Sequence, residues 1–227
     1  MAFEVGGYQS GATPFSMHRN ETQIMKYILH HNDIPDDFEA ANSVAVDTEA
    51  LGLNPKRDPL CLVQLRTETG PAHLVRLERS NYNAPNLKAL LTNPDIVKIF
   101  HYARFDLGML RHHLGIAVAP VYCTKIASKL ARTYTDRHGL KDLLRELLNI
   151  DISKQQQSSD WGAAKLSKQQ LEYAATDVEH LHALHDKLQD ILEREGRDAL
   201  ARKCFEFLPT QVELDLAGWP EQNIFSH

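Results

Sequence analysis

The sequence has only three cysteines among its 227 residues, and no two of them have the Cys-x-x-Cys spacing of a zinc or redox motif. Cys61, Cys123 and Cys204 are scattered and odd in number, which argues against a disulfide framework and favours a reducing cytoplasm. The chain also lacks an apolar run of the roughly 18 residues that cross a bilayer. Since no basic segment followed by an apolar stretch precedes the first strand, we expect neither a signal peptide nor a membrane partner.

An overall basic charge is missing too, because the formal net charge is −5. Proteins that wrap long duplex DNA usually carry a basic stripe. The charge is nevertheless uneven, and one segment has six basic residues against two aspartates: Lys125, Lys129, Arg132, Arg137, Lys141 and Arg145. Two interpretations stay open for this segment, a solvated helix face or a local patch that binds phosphate. The acidic residues described below favour the second.

Apolar residues make up 43% of the chain, enough for a substantial core, and the length favours one large domain. Short β-rich segments bounded by Gly, Pro or Asn predict strands at 43–46, 60–65, 72–77 and 96–100. Helical spacing predicts helices at 85–91, from 103 onward, and at 124–131, 139–148, 167–195 and 196–207. The domain boundaries that we predict are an extended arm at 1–22, one domain at 23–208 and an irregular tail at 209–227.

This order of elements is three strands, a helix, a strand and then helices. Strands joined by hairpins and followed by a helical crossover predict an α/β fold with a mixed sheet flanked by helices. The arrangement resembles the ribonuclease H-like fold.

Two carboxylates stand close together in the first predicted strand. Asp47 and Glu49 are two residues apart, so both side chains leave the same face of the strand. Such a pair repels itself and is costly to bury without a cation. The alternative is an exposed edge strand, or an aspartate that starts a turn.

Three further residues each have an ordinary structural interpretation when taken alone. Tyr173 and Asp177 are four apart and share a helix face, which is a frequent spacing. Asp106 lies at a predicted helix start, where an aspartate is usually a cap or a dipole partner.

Taken together, these residues predict a metal site. Mg²⁺ prefers oxygen ligands, and two such ions about 4 Å apart can activate a water and stabilise the leaving oxygen of a phosphodiester. We therefore expect Asp47, Glu49, Asp106 and Asp177 to hold two Mg²⁺ or Mn²⁺ ions. Tyr173 lies one turn from Asp177 and is the candidate to orient the attacking water.

Three segments resemble the exonuclease motifs of the DEDDy superfamily of 3′→5′ exonucleases. They are Asp47-Thr48-Glu49, His101-Tyr102-Ala103-Arg104-Phe105-Asp106 and Tyr173-Ala174-Ala175-Thr176-Asp177. Ribonuclease D is the nearest broad group, and the resemblance covers about residues 40 to 190. It implies metal-dependent hydrolysis from a 3′ end with release of nucleoside 5′-monophosphates, and it implies the same catalytic roles for the four carboxylates and Tyr173.

Other segments resemble nano-RNase C, the small ribonuclease D-like enzymes of alphaproteobacteria. They are residues 124–129, 133–139, the Gln-Gln-Gln-Ser-Ser-Asp-Trp run ending at Trp161, and residues 204–209. This resemblance implies very short single-stranded RNA as substrate, dinucleotides above all, and a ring-like homo-octamer. Only 19 residues follow Leu208, so we expect no room for the helical nucleic-acid-binding domains of long ribonuclease D proteins.

Candidate substrate-binding residues complete the prediction. By resemblance to oligoribonuclease-type enzymes, Leu53 wedges between the two terminal bases, and the alternative is a core leucine in a turn. His101 belongs to the second motif and is a further candidate for a substrate contact. Candidate donors to a 5′ phosphate, supplied by this or a neighbouring subunit, are Arg132, Arg137, His138 and Lys141.

Three alternatives stay open or are set aside. A DNA exonuclease with the same site remains possible, since sugar selection depends on one contact to the 2′-hydroxyl. A catalytically silent nucleic-acid-binding module is the alternative from another class, although all four carboxylates are present. The three histidines at 180, 182 and 185 suggest zinc, but the His-Glu-x-x-His spacing is absent.

Overall fold

The computed structural model describes residues 26–152 and 158–226. The arm predicted at 1–22 and the three glutamines at 155–157 lie outside these ranges. The strands are β1 (Tyr27–His31), β2 (Ser43–Ala50), β3 (Leu60–Arg66), β4 (Ala72–Arg76), β5 (Val97–Phe100) and β6 (Val121–Cys123). The helices are α1 (Pro85–Thr92), α2 (Ala103–Leu114), α3 (Thr124–Ala131), α4 (Leu140–Leu148), α5 (Lys168–Glu179), α6 (Leu181–Arg194) and α7 (Asp198–Ala217).

The six strands form one mixed sheet in the order β1-β4-β3-β2-β5-β6. Strands β2, β3 and β4 are neighbours in sequence and pair antiparallel, as hairpin connections require. Strands β1, β5 and β6 each join the sheet by parallel pairing. The predicted mixed sheet flanked by helices in a single domain is confirmed, and one connected cluster of buried apolar residues forms its core.

The register of β2 creates an opening in the middle of the sheet. Its first residues pair with β5 as far as Ala45, which lies opposite Ile99. Beyond that point β2 continues to Ala50 along β3, while β5 ends at Phe100 and the chain turns into α2. The part of β2 that carries Asp47 and Glu49 therefore runs past the end of β5, at the carboxyl ends of two parallel strands where open α/β sheets bind ligands.

Burial explains why α5 lies close to this part of β2. Strand β3 is apolar except for Gln64 and Arg66, and Leu60, Leu62, Val63 and Leu65 are fully buried. Helix α5 contacts β2, β3 and β4, and its buried face includes the small residues Ala174 and Ala175. Small side chains let the helix approach the sheet closely, and burial of each large aliphatic side chain contributes about 1.5–3 kcal/mol.

The sequence-based element prediction missed two strands and merged two helices into one. Strands β1 and β6 were not predicted, because β1 has no clean alternation of buried and exposed residues and β6 is only three residues long. The long helix predicted at 167–195 is two helices, α5 and α6, which are separated by a turn at His180.

The irregular tail predicted from Pro209 is helical up to Ala217. Proline removes one backbone donor and normally breaks a helix. Here the helix continues because its buried residues recur at helical spacing on both sides of Pro209, with Leu208 before it and Val212 after it. The helix ends at Gly218, whose φ of +117° is a left-handed conformation that glycine adopts without strain.

Within the described ranges, every helix is too short or too polar to cross a membrane.

Candidate active site

Three of the predicted carboxylates meet at the end of the sheet. Oxygen atoms of Asp47, Glu49 and Asp177 all lie within 4.8 Å of one another. The first two leave the same face of β2, and the third comes from α5, which packs on that strand. A group of carboxylate oxygens at this spacing suits a hard divalent cation, which takes oxygen ligands. We refer to these three residues with Asp106 as the carboxylate cluster.

A capping box fixes where α5 begins, and therefore where Asp177 lies. The hydroxyl of Ser167 accepts a hydrogen bond from the backbone N–H of Gln170 at 3.2 Å. The side chain of Gln170 accepts in return from the N–H of Ser167 at 2.9 Å and also donates to the carbonyl of Asp160 at 3.1 Å. This reciprocal cap satisfies two otherwise unpaired donors and sets the start of the helix.

Tyr173 lies beside Asp177 on the same helix. Its hydroxyl donates a hydrogen bond to the Asp177 carboxylate, and its ring lies 6.2 Å from the ring of the buried Trp161. Burial, reinforced by the charges of Asp177, Glu49 and Asp47, raises the pKa of Tyr173. The phenol therefore stays protonated at neutral pH and acts as a hydrogen-bonding group.

The fourth carboxylate approaches β2 from the opening beside β5. Asp106 is only 3% exposed and accepts a 2.7 Å hydrogen bond from the hydroxyl of Thr48, the residue between Asp47 and Glu49. The N-cap of α2 is Tyr102, so Asp106 lies inside the first turn and the capping interpretation does not apply. Tyr102 itself has a φ of +67°, an uncommon conformation for a residue with a side chain.

Burial and mutual repulsion shape the electrostatics of the cluster. Desolvation, and then the charges of Asp106, Asp177 and Glu49, raise the pKa of Asp47 well above its usual range. Burial and neighbouring charges also raise the pKa of Glu49 to about 9, and that of Asp106 to about 7. Burial raises the pKa of Asp177 to about 7, against the hydrogen bond from Tyr173. A bound divalent cation offsets both the desolvation of these carboxylates and their mutual repulsion, so the residues present fit the predicted metal site.

Two residues of the site were missed from the sequence. Thr48 was assigned no role, although it holds Asp106. Gln64 is fully buried on β3 opposite Asp47, and its amide nitrogen donates to Oδ2 of Asp47 at 3.1 Å. A single glutamine inside the apolar run Leu60–Leu65 was the available signal, because a polar side chain in a buried strand needs a partner.

Leu53 lies in the loop that follows β2 and is 83% exposed. The alternative that it is a core leucine is therefore wrong.

The predicted phosphate donors have different environments. Arg132 is fully buried, forms an ion pair with Glu146, and donates to the carbonyl of Arg137 at 2.9 Å. Burial gives Arg132 a structural role in this conformation in place of the predicted RNA contact. Arg137 itself is exposed and Lys141 is half-buried, so both side chains reach solvent.

Three of the histidines, His101, His138 and His185, each contact a hydroxyl group or a nearby acidic residue. Nδ1 of His138 lies 2.8 Å from Oγ of Ser128, and Nδ1 of His101 lies 2.9 Å from Oγ1 of Thr124. His185 pairs with Asp186 at 2.8 Å. Among the residues that the structure describes, no group with metal-binding spacing includes the histidines at 180, 182 and 185.

Comparison with known proteins gives the family. A family model described as 3′-5′ exonuclease matches residues 18–193. Ribonuclease D of Gluconacetobacter diazotrophicus is 37% identical over 154 residues, which are 68% of this chain and 39% of that protein. The chain thus spans about two fifths of the length of this relative.

Solved structures cover nearly the whole domain. The structure of Brucella melitensis NrnC bound to pGG is 54% identical, with a TM-score of 0.86, and the match covers 89% of this chain and 99% of that one. NrnC with bound Mg²⁺ is 53% identical with a TM-score of 0.85, covering 89% of this chain and 100% of that one. The predicted ribonuclease H-like fold is confirmed by these neighbours. The chain belongs to the ribonuclease D-like family of DEDD 3′-5′ exonucleases and is close to NrnC.

Proposed function

We propose that this protein is a metal-dependent 3′→5′ exoribonuclease. The observation that carries the proposal is the meeting of Asp47, Glu49 and Asp177 within 4.8 Å at the end of the sheet, with Asp106 held beside them by Thr48. Four carboxylates that repel one another, with Asp106 buried and the other three half-buried, are difficult to explain as a structural feature. Family membership supports the same activity.

The cluster is proposed to hold two Mg²⁺ or Mn²⁺ ions. When bound, such ions supply positive charge that activates water and stabilises the leaving oxygen of a phosphodiester. Asp47 and Glu49 supply ligands from the strand, and Asp106 and Asp177 supply them from the two helices. Gln64 orients Asp47, and Thr48 orients Asp106, through the hydrogen bonds described above.

Tyr173 is proposed to orient the attacking water. Its hydroxyl lies one helical turn from Asp177 and is hydrogen-bonded to it. Since burial keeps the phenol protonated, the hydroxyl can hold a water molecule in line with the scissile bond without taking its proton. This role affects the transition state more than substrate binding.

The proposed substrates are short single-stranded RNAs, dinucleotides above all, and the products are nucleoside 5′-monophosphates. NrnC, which is 54% identical, has been solved with pGG bound. The net charge of −5 also disfavours a long nucleic-acid track, because long strands gain affinity from many phosphate contacts. Leu53 is proposed to wedge against the terminal bases.

His101, Arg137, His138 and Lys141 remain the proposed polar contacts to RNA. The arginine and lysine are the candidates for the 5′ phosphate, since both reach solvent. Arg132 holds the backbone of Arg137 in place through its hydrogen bond to the Arg137 carbonyl. We also propose a homo-oligomer, an octamer by resemblance, and a cytoplasmic location that suits three free cysteines.

A DNA exonuclease, or a general ribonuclease D-like enzyme, is the alternative that uses the same cluster. One experiment separates these activities. Purified protein is given 5′-labelled RNAs and DNAs from two nucleotides upward with Mg²⁺, and initial rates are compared, with a metal-chelated sample as control. The proposal expects the highest rate on the shortest RNAs. Higher rates on DNA, or on long RNA, would contradict it.

A further inference from the structure

The loop between β2 and β3, which follows the strand that carries Asp47 and Glu49, presents Leu53 to solvent. Single exposed apolar side chains are common on protein surfaces, so exposure alone says little. What distinguishes this loop is the way its backbone is fixed. Asp58 is only 8% exposed, and its carboxylate contacts the residues on both sides of Leu53.

The contacts of Asp58 bracket the exposed leucine. On one side, its Oδ2 accepts a 2.9 Å hydrogen bond from the backbone N–H of Asn54. On the other side, a Cβ added to Gly52 would lie 2.2 Å from the same oxygen, so the carboxylate packs directly on the glycine Cα. A side chain at position 52 would occupy the place of the carboxylate, which explains why glycine is needed here.

Further bonds hold the carboxylate itself in place. Nε of Arg57 donates to Oδ1 at 2.6 Å and a terminal nitrogen donates to Oδ2 at 2.8 Å, a bidentate pair of defined geometry. The backbone N–H of Asp58 donates to the carbonyl of Asn54 at 2.8 Å. These bonds close the loop into a compact unit.

The same unit is fixed to the helix that carries Asp106. Pro55 packs on α2 at Gly108, where an added Cβ would lie 3.2 Å from Cγ of the proline. The ring of His113, also on α2, donates to the carbonyl of Asp58 at 3.1 Å. Displacement of Leu53 relative to the carboxylate cluster therefore requires these contacts to break.

We infer that Asp58 is a positioning residue for substrate: its carboxylate holds the Gly52–Asn54 backbone so that Leu53 meets the terminal bases of RNA at a fixed distance from the cluster. The inference rests on the proposed exonuclease function and on the proposed contact of Leu53. Asp58 acts only through Leu53, and it touches neither the metal ligands nor the scissile bond. Removal of the carboxylate should therefore weaken RNA binding without slowing the chemical step.

A double-mutant cycle tests this dependence. The four proteins are the wild type, Leu53→Ala, Asp58→Ala and the double variant, and KM and kcat are measured on a dinucleotide RNA with saturating Mg²⁺. Loss of one stacking contact is typically worth about 1–3 kcal/mol, so Leu53→Ala should raise KM by about fivefold to 150-fold. Asp58→Ala should raise KM several-fold in the wild-type background, with kcat within about twofold, and should change KM by less than about twofold in the Leu53→Ala background.

A matched control separates positioning from general stability. Asp33 also uses its carboxylate to accept backbone N–H groups, from Ile34 at 2.9 Å, Asn86 at 2.9 Å and Leu87 at 2.8 Å, but it fixes α1. Asp33→Ala should lower the melting temperature and leave KM within about twofold of wild type. If Asp33→Ala raises KM as much as Asp58→Ala does, general destabilisation is the cause and the inference is wrong.

Three further variants serve if Asp58→Ala does not fold. Gly52→Ala displaces the carboxylate from the other side, and Arg57→Ala removes its bidentate partner. Each should raise KM only when Leu53 is present, and Asp58→Asn, which keeps one accepting oxygen, should fall between wild type and Asp58→Ala.

Equal effects of Asp58→Ala or Gly52→Ala in both backgrounds would overturn the inference. A wild-type KM for Asp58→Ala would do the same. If wild type and Leu53→Ala behave as expected but the effect of Asp58→Ala does not depend on Leu53, the proposed function is kept and only the role of Asp58 is wrong. If the wild-type protein does not cleave RNA at all, the proposed function fails and this inference fails with it.

Discussion

Gln64 donates a 3.1 Å hydrogen bond from its side-chain amide to Oδ2 of Asp47, across the β2–β3 pair. The glutamine is fully buried, and within the described part of the chain its Oε1 has no hydrogen-bond partner. A buried amide that leaves one group unpaired is retained at a cost in stability. The proposed function of this bond is to hold Asp47 in place for a metal ion.

Gln64→Leu should weaken metal binding while the fold is kept. The leucine is of similar size and suits an apolar strand, but it leaves Asp47 without its orienting donor. Loss of such supporting bonds typically lowers metal affinity about 10–100-fold. A Mg²⁺ titration of the initial rate measures this, with Gln189→Leu on an exposed face of α6 as control. An unchanged titration would show that Gln64 is only a packing residue.

Asp47→Asn should abolish hydrolysis and leave the fold intact. An amide cannot balance the charge of a divalent ion, so turnover at a few per cent of wild type would contradict the two-metal assignment. The metal-free variant should also melt at a higher temperature than the metal-free wild type at neutral pH, because a like charge is removed.

The difference in stability between Asp47→Asn and the wild type should depend on pH. Burial and neighbouring carboxylates raise the pKa of Asp47 in the folded state, so its contribution to stability is present in acid and is lost as the pH rises through the folded pKa. The advantage of Asp47→Asn should therefore be small near pH 4 and should grow toward neutral pH. Thermal unfolding with chelator across this range measures it, at about 2–4 °C per kcal/mol for a domain of this size.

Tyr173→Phe should lower kcat far more than it changes KM. The phenol is proposed to orient water, an interaction made mostly in the transition state, and groups of this kind are worth about 10²-fold or more. Steady-state kinetics on a dinucleotide separate the two constants. A normal kcat would mean that Tyr173 serves only to pack against Trp161 and to bond Asp177.

Leu53→Ala should weaken binding of short RNA by about 1–3 kcal/mol, the usual worth of a base-stacking contact. Since Leu53 is 83% exposed, the melting temperature should not change. Metal titration of the variant should match the wild type, because no ligand is touched. A dinucleotide Kd equal to that of the wild type would remove Leu53 from the substrate site.

Binding of a dinucleotide should depend only weakly on salt. For single strands, log K falls by about 0.7 per phosphate contacted for each unit of log salt. An acidic protein with one local basic segment makes about one or two such contacts in the proposed mode. A slope several times steeper, with rates that climb from two nucleotides to twenty, would indicate an open groove and a general exonuclease.

The sequence predicted which carboxylates come together better than it predicted their surroundings. The spacing of Asp47 and Glu49 on a strand, and of Tyr173 and Asp177 on a helix, follows from local geometry, and the structure brings three of these carboxylates together. The role of Gln64 was not predictable, because it depends on the register between β2 and β3. The burial of Arg132 likewise depends on a partner 14 positions away, Glu146, on the following helix.

The carboxylate cluster is built from residues that are far apart in the sequence. Asp47 and Asp177 are 130 positions apart and meet only when α5 docks on the finished sheet. Contacts of this separation form late in folding, because the chain entropy of closing so long a loop must be overcome first. An unfolded or half-folded chain thus lacks the proposed divalent-cation site, and a bound ion would stabilise only the native state. At a free concentration 100 times the Kd, such stabilisation would amount to about 2.7 kcal/mol, so under this proposal the supply of the divalent ion would also set the stability of the protein.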